Sequence, residues 1–374
     1  MVTMKDIAKK AGVSRQAVSH IMNNKSGAYV SDHTREKVLK IARELNYHTN
    51  YFARTLKTGR TNIIGIQAGH GMFFGSTQPY LANVYNGIGS FFDNTEYKFI
   101  FQNFIKMYRD DKLVGMFQSR LVDGFIFVLN AGMIKDFIQN QLPLMQKIGV
   151  PFVAVHSFQE DLGCHNVGLD CYHGGYSATE HLIGHRYARI GLVEVRSDHH
   201  NDLACLVKGH RAALKAHGLP ENKKDVFTSP GFGTAAGYEV AGSILASPDG
   251  LPEAFLVADD SIAYGMLKRF SQEGVKVPDD IALMGYGDNI DPFYMVDGLS
   301  SIIQPGFQKG ETAAAMLKNQ LDRIHGDAGQ PAAGRFVCLK PGLKIRTSCG
   351  CSPADQEEGQ RPRSDRRGID QPTR

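Results

Sequence analysis

Val13-Ser-Arg-Gln-Ala-Val-Ser-His-Ile-Met-Asn23 separates into two faces when it is wound into a helix. Ala17, Val18, Ile21 and Met22 fall at i, i+1, i+4 and i+5 and form an apolar stripe that can be buried. Arg15, Gln16, Ser19, His20 and Asn23 share the other face, and every one can hydrogen-bond. Ser14 stands in front, where its hydroxyl can accept a free backbone N–H as an N-cap. Such a helix suits the major groove of DNA, whose base edges present a readable pattern of donors and acceptors. An ordinary amphipathic surface helix shares these features, so the flanking sequence has to decide.

On the amino-terminal side, Thr3 with Asp6 three residues later is close to a capping box, and Ile7, Ala8 and Ala11 give a first helix its inner face. Gly12 is free to take the positive φ of a tight turn. Two short helices joined by a glycine-containing turn make a helix-turn-helix. On the carboxyl side Ser31 starts a third helix, with Val38, Ile41, Ala42 and Leu45 inward and Lys37, Lys40 and Arg43 outward. Asn50 to Arg60 then reads as a very short helix, capped by Asn50, with Ala53 and Leu56 on one face and Gly59 as its stop. So short a helix is marginal in water and should form where something orders it.

The net charge of +4 conceals an asymmetry, because residues 1–60 alone carry a net +8 and the remainder −4. A basic segment on a mildly acidic body is a nucleic-acid-binding signature. The 374 residues allow two or three domains, and 42% hydrophobic with 21% charged residues is a globular composition. No apolar run approaches the roughly 20 residues of a membrane span, and no apolar segment follows Lys5, Lys9 and Lys10 as in a secretory signal. Six cysteines, all after residue 160, suit a reducing compartment. A bacterial cytoplasmic protein associated with the nucleoid is expected, without a membrane partner.

The first sixty residues resemble the lactose-repressor (LacI/GalR) family of bacterial transcription regulators. The resemblance rests on Lys5-Asp-Ile-Ala-Lys-Lys-Ala-Gly-Val-Ser14, Ala17-Val-Ser19, Asn23, Thr34-Arg35, Tyr47 and Ala53-Arg54 with Leu56. It implies that the helix after Ser14 enters the major groove with Arg15, Gln16 and His20 at the base-reading positions and Ser19 beside them. It implies phosphate or positioning contacts for Ser14, Asn23 and Tyr47. It also implies a hinge helix carrying Asn50, Ala53 and Leu56 that pairs across a homodimer in the minor groove. There the leucine matching Leu56 wedges a central base step, as apolar side chains that kink DNA do. Thr49 stands where the family usually has proline.

Beyond residue 60 short apolar runs alternate with amphipathic stretches, the α/β pattern. Strands are expected at 62–66, 98–101, 124–128, 152–155, 190–193, 254–257 and 281–284, with helical patterns at 174–185 and 208–217. His181 to Gly191, Ala258 to Gly265, Val277 to Ile281 and Met284 to Asp288 resemble phrases of the same family's periplasmic-binding-protein-like regulatory domain. The fold class expected is an all-α helix-turn-helix headpiece plus an α/β regulatory domain of two Rossmann-like subdomains. The expected division is a headpiece at 1–48, hinge and linker at 49–60, and an effector-binding and dimerisation domain at 61–350. Its subdomains would comprise about 61–168 with 299–332 and 169–298 with 333–350. Residues 351–374, poor in large apolar side chains, are expected to be a disordered tail.

The resemblance implies a small effector between the subdomains, with His156, Phe232, Asp259 and Asp288 at cleft positions. Leu206 replaces an arginine the family usually places three residues before a Gly-aromatic pair, here Gly209-His210. Carbohydrates or related metabolites remain the expected effector class. His181 and His185 share a helix face, and Cys164, His165, Cys171 and His173 add further possible metal ligands. Spacing alone does not establish ligation, so no metal and no cofactor is expected, and Cys349-Gly-Cys351 is read as inert. The expected function is a dimeric, effector-controlled regulator, a repressor, acting on palindromic double-stranded operator DNA. A sugar-binding protein without a DNA role is opposed by the basic segment. An enzyme on the same scaffold is opposed by the lack of a Walker loop, a Gly-x-Ser-x-Gly elbow or a His-Glu-x-x-His motif.

Overall fold

The computed structural model describes residues 2–22, 30–47, 59–68, 79–103, 112–129, 131–157, 160–195, 201–288, 298–326 and 335–352. The chain divides into two compact units, residues 1–61 and 62–374.

In the first unit, helices α1 (Met4–Ala11), α2 (Arg15–Met22) and α3 (Asp32–Glu44) close around Ile7, Ala11, Val18, Ile21, Val38 and Ile41. The Asp6 carboxylate accepts from the Thr3 backbone N–H and from its hydroxyl, both at 2.8 Å. Gly12 ends α1 in the left-handed region at φ 73°. Ser31 caps α3 by accepting from the Thr34 N–H at 3.3 Å. Both ends of α1 and the start of α3 therefore have a local cause in the sequence. Lys10 and Glu44 join α1 to the end of α3 at 3.0 Å.

The second unit holds two six-stranded sheets. The first comprises β1 (Ile63–Ala68), β2 (Lys98–Asn103), β3 (Gly124–Val128), β4 (Phe152–Val155), β5 (Asn166–Leu169) and β11 (Phe336–Leu339), all parallel in the order β11-β5-β4-β3-β1-β2. The second contains β6 (Ile190–Val195), β7 (Val226–Ser229), β8 (Ala254–Val257), β9 (Ala282–Gly287), β10 (Ser300–Ile303) and β12 (Gly342–Lys344) in the order β12-β10-β9-β8-β6-β7. Only β12 runs antiparallel to its neighbour there. Both sheets thus share the doubly wound order 2-1-3-4-5, with an added edge strand each.

Helices cover both faces of each sheet, which is why the central strands are continuous apolar runs. On β3, Phe125 and Phe127 pack against the side formed by α5 (Lys112–Gln118), α6 (Ala131–Asp136), a π-helical turn at Phe137–Gln141 and α7 (Leu142–Ile148). Ile126 and Val128 face the opposite side, under α4 (Pro79–Phe92) and α12 (Gly306–His325). The second sheet repeats this plan. Ala254 and Leu256 face α8 (Cys171–Gly184) and α9 (Asn201–Ala216), while Phe255 and Val257 face α10 (Thr234–Leu245) and α11 (Asp260–Gln272). The α8/α9 backbones touch: a Cβ on Gly175 would collide with the Leu206 carbonyl, and one on Gly209 with that of Tyr172.

The chain passes between the sheets three times, after β5, after β10 and after β11. Two expected boundaries therefore move. Ser300–Ile303 belongs to the second sheet, since Ser300 and Ser301 are buried and pair with Met284 and Gly285 of β9. Phe336–Leu339 belongs to the first, in register with Asn166–Leu169. The tail boundary moves as well: Cys351 is buried against the second subdomain's core, and residues 353–374 lie outside the described residues. Among the described residues no helix is long and apolar enough to cross a membrane.

Candidate nucleic-acid interface and effector cleft

Helix α2 sorts its side chains by period. Val18 and Ile21 are buried, Ala17 and Met22 half-buried, and Ser14, Arg15 and Gln16 exposed, with Ser19 and His20 half-buried. The Ser14 hydroxyl accepts the Ala17 N–H at 3.0 Å, so α2 begins where its cap permits. Arg15 and Gln16 therefore sit in the first turn, on the outer side of a helix anchored by two core residues. Tyr47 follows α3, its N–H on the Ala42 carbonyl at 2.9 Å. Burial raises its hydroxyl pKa, and the nearby Arg15 charge opposes that shift. Lys5, Lys9, Lys37, Lys40 and Arg43 are exposed around the same unit. Asn23, Asn50, Ala53 and Leu56, along with most of the expected hinge, lie outside the described residues.

The four expected cleft residues come from four different elements and lie just past strand carboxyl ends. His156 follows β4, Phe232 follows β7, Asp259 follows β8 and Asp288 follows β9. In a doubly wound sheet this is the end at which ligands bind. Their environments differ. Phe232 is 48% exposed on the turn before α10. Asp259 caps α11 by accepting the Ser261 N–H at 2.8 Å and the Ser261 hydroxyl. Burial raises its carboxyl pKa and the Ser261 bonds partly restore the charged form. Ser261 in turn accepts the Gly233 N–H at 2.9 Å, so Asp259, Ser261 and the Phe232 turn form one connected rim.

His156 and Asp288 are held from within. His156 is 1% exposed, lies parallel to Phe336 with centroids 6.2 Å apart, and pairs through Nε2 with Asn166 Oδ1 at 2.9 Å. Asn166 Nδ2 donates to the Cys164 carbonyl at 2.7 Å, which leaves Oδ1 as acceptor and places the His156 proton on Nε2. Asp288 adopts φ 51° and pairs with Arg346 Nη2 at 2.8 Å. Its N–H donates to Ser301 Oγ at 3.0 Å, and Ser301 donates to the buried Asp260 at 2.7 Å. Arg346 also donates to the Leu299 carbonyl at 2.6 Å, so the carboxyl-terminal segment holds Asp288 and the start of β10 together.

Leu206 is fully buried in the α8/α9 core. His210, its neighbour one turn on, is buried too and bonded through Nδ1 to Thr179 Oγ1 at 2.8 Å. Arg346, Ser261 and Ser301 were not singled out in the sequence. Ser261 had a visible signal, an Asp-Asp-Ser cap opening an apolar helix pattern, whereas Arg346 finds Asp288 only through the fold.

The family model described as bacterial regulatory proteins, lacI family, matches residues 3–50, and the one described as a periplasmic binding protein-like domain matches residues 179–349. The HTH-type transcriptional repressor PurR of Photobacterium profundum is 31% identical over 354 residues, covering 93% of this chain and 98% of that protein. The ribose operon repressor of Haemophilus influenzae is 27% identical over 354 residues, with 93% and 98% covered. Among solved structures, the lac repressor dimer bound to operator and the anti-inducer ONPF superposes with a TM-score of 0.70 at 22% identity, covering 93% of this chain and 99% of that one.

Proposed function

This chain belongs to the lacI family of bacterial regulatory proteins and is a DNA-binding transcription regulator that responds to a small effector, and from that premise we propose which residues divide the work. Arg15 and Gln16 read base edges in the major groove, with His20 and Ser19 beside them. Arg suits a guanine edge and Gln an adenine edge. Ser14, Asn23 and Tyr47 fix register on phosphates, and Asn50, Ala53 and Leu56 act as the minor-groove hinge of a homodimer. The observation that carries this reading is the first turn of α2, where Arg15 and Gln16 are exposed behind a capped, core-anchored start.

Repression is the mode the relatives' names support, and carbohydrates or related metabolites are the effector class. Phe232 and Asp259 offer a stacking face and an acceptor to such a ligand. His156 and Asp288 act as positioning residues, because Asn166 holds one and Arg346 pairs with the other. Effector binding shifts subdomain closure, and the differential stability of the two closures changes operator affinity. A cytoplasmic, nucleoid-associated location accompanies this role.

Selection of full-length protein on a random duplex pool, followed by gel-shift titration, tests the reading. Enrichment of a palindrome whose binding weakens with Leu56→Ala is expected. Failure to enrich any palindrome, or binding indifferent to Leu56→Ala and Gln16→Ala, contradicts it.

A further inference from the structure

The fold brings together two motifs that are far apart in the chain. His181 and His185 lie four apart at the end of α8, where 3.6 residues per turn places both rings on one side. Cys349-Gly-Cys351 lies at the other end of the domain's sequence, where a short 3-10 turn, Thr347–Cys349, ends after β12. His181 Nε2 is 3.3 Å from Cys349 Sγ and 3.7 Å from Cys351 Sγ, and His185 Nε2 is 3.1 Å from Cys351 Sγ. All four ligand atoms lie within 4.8 Å of one another, the one such His/Cys/Asp/Glu group of three or more among the described residues.

We propose that His181, His185, Cys349 and Cys351 form a structural zinc site that clasps the carboxyl-terminal segment to helix α8. Tetrahedral zinc with two sulfurs at about 2.3 Å and two nitrogens at about 2.0–2.1 Å has ligand-to-ligand edges of about 3.3–3.8 Å. The three sulfur–nitrogen contacts, 3.1 to 3.7 Å, are close to those edges. Four side-chain ligands leave no open position, the arrangement of structural rather than catalytic zinc. Two imidazoles with two thiolates match a borderline-soft ion, against the all-oxygen sets preferred by magnesium or calcium. Charge agrees with the burial: binding releases one proton from each thiol, and Zn²⁺ with two thiolates and two neutral imidazoles is neutral overall. A neutral centre is what a pocket with Cys349 at 0% and Cys351 at 8% exposure tolerates.

Local backbone supports the same set. Gly350 sits at φ 94°, and this left-handed turn lets both flanking sulfurs face the histidines. A Cβ at Gly350 would collide with the Tyr187 hydroxyl. Tyr187 stacks on His185 with centroids 6.1 Å apart and its hydroxyl donates to the Cys349 carbonyl at 3.4 Å, which holds ring and turn together. Just before this turn, Arg346 pairs with Asp288, and Ser348 accepts the Ser300 N–H and donates to the Leu283 carbonyl. A metal at the clasp therefore secures the segment that holds Asp288. The other possible ligands do not join it: the Cys171 thiol donates to the Ser157 carbonyl at 2.9 Å, and the His165 ring accepts the Arg335 N–H at 3.3 Å.

The test is elemental analysis of reduced full-length protein, with cobalt exchange as spectroscopic readout and Cys205→Ser as control. About one zinc per chain is expected, with thiolate-to-cobalt charge-transfer and tetrahedral d–d bands after exchange. Cys351→Ser and the half-exposed His185→Asn should lose both, while Cys205→Ser keeps them. Because variants can misfold, stripping the wild-type protein with chelator should lower its Tm and re-adding zinc should restore it. Reduced wild-type protein that takes up neither zinc nor cobalt overturns the proposal. So does undiminished metal in Cys349→Ser/Cys351→Ser.

Discussion

Gln16 is exposed one residue past the capped start of α2 and is not among the buried residues of the headpiece. Its replacement should therefore leave folding intact and act on DNA. Gln16→Ala is expected to lose about 1–3 kcal/mol of discrimination at one symmetric base-pair position, with affinity for unrelated duplex unchanged. Anisotropy titrations on single-base variants of the selected operator measure this. His210 gives a pH signature instead. Burial lowers its pKa to about 4, and with the Thr179 hydroxyl donating to the Gly175 carbonyl, Nδ1 carries the ring proton. The unfolded chain binds that second proton near pH 6.5, so between about 6.5 and 4 it holds more protons than the folded one. Stability should thus be full above about 6.5 and fall as pH drops toward 4, by at most about 3 kcal/mol from this residue. Urea unfolding at several pH values should show a shallower slope for His210→Asn. The outer face of α2 was legible in the sequence because it depends on helix period alone. The Asp288–Arg346 pair was not, since nothing local to either residue specifies the other.

At the scale of elements, the strands legible in the sequence are apolar runs, most of them covered on both faces, with the half-exposed edge strand Lys98–Asn103 as the exception. Gly124–Val128, Phe152–Val155 and Ala254–Val257 are continuous apolar runs, and each is wholly buried. The strands not anticipated carry polar residues or lie at edges. Ser300 and Ser301 are buried only because Arg346, Ser348 and Asp260 satisfy their hydrogen bonds. Val226–Ser229 is an edge strand, and its start is held by Arg189, whose guanidinium makes a fork onto the buried Asp225 at 2.5 and 3.0 Å. Arg189→Ala leaves that carboxylate buried without its partner and should destabilise the second unit by about 3 kcal/mol, read by chemical denaturation. The His181/His185 and Cys349/Cys351 pairs were each visible, but 168 residues of chain separate His181 from Cys349. Only the return of the carboxyl-terminal segment to α8 makes them one group.

For the whole molecule, a basic headpiece and an acidic body divide the labour between where the protein binds and when. The headpiece exposes Arg15 and Gln16 on the first turn of α2. The body places four chemically distinct residues just past strand carboxyl ends, the end at which ligands bind in a doubly wound sheet. A thermal-shift screen against sugars, sugar acids and nucleobases should reveal a ligand that raises Tm, since at a hundredfold excess over Kd binding contributes about 2.7 kcal/mol. Phe232→Ala should weaken that shift while leaving the ligand-free Tm close to wild type, because the ring is exposed. The same ligand should change operator affinity by about 5- to 150-fold. The most direct measurement is the affinity of full-length protein for its selected palindrome and for a scrambled duplex at about 50 and 200 mM salt. At least about a thousandfold preference for the palindrome is expected, with affinity for both duplexes falling steeply as salt rises. Equal affinity for the two duplexes, or binding indifferent to salt, would contradict it.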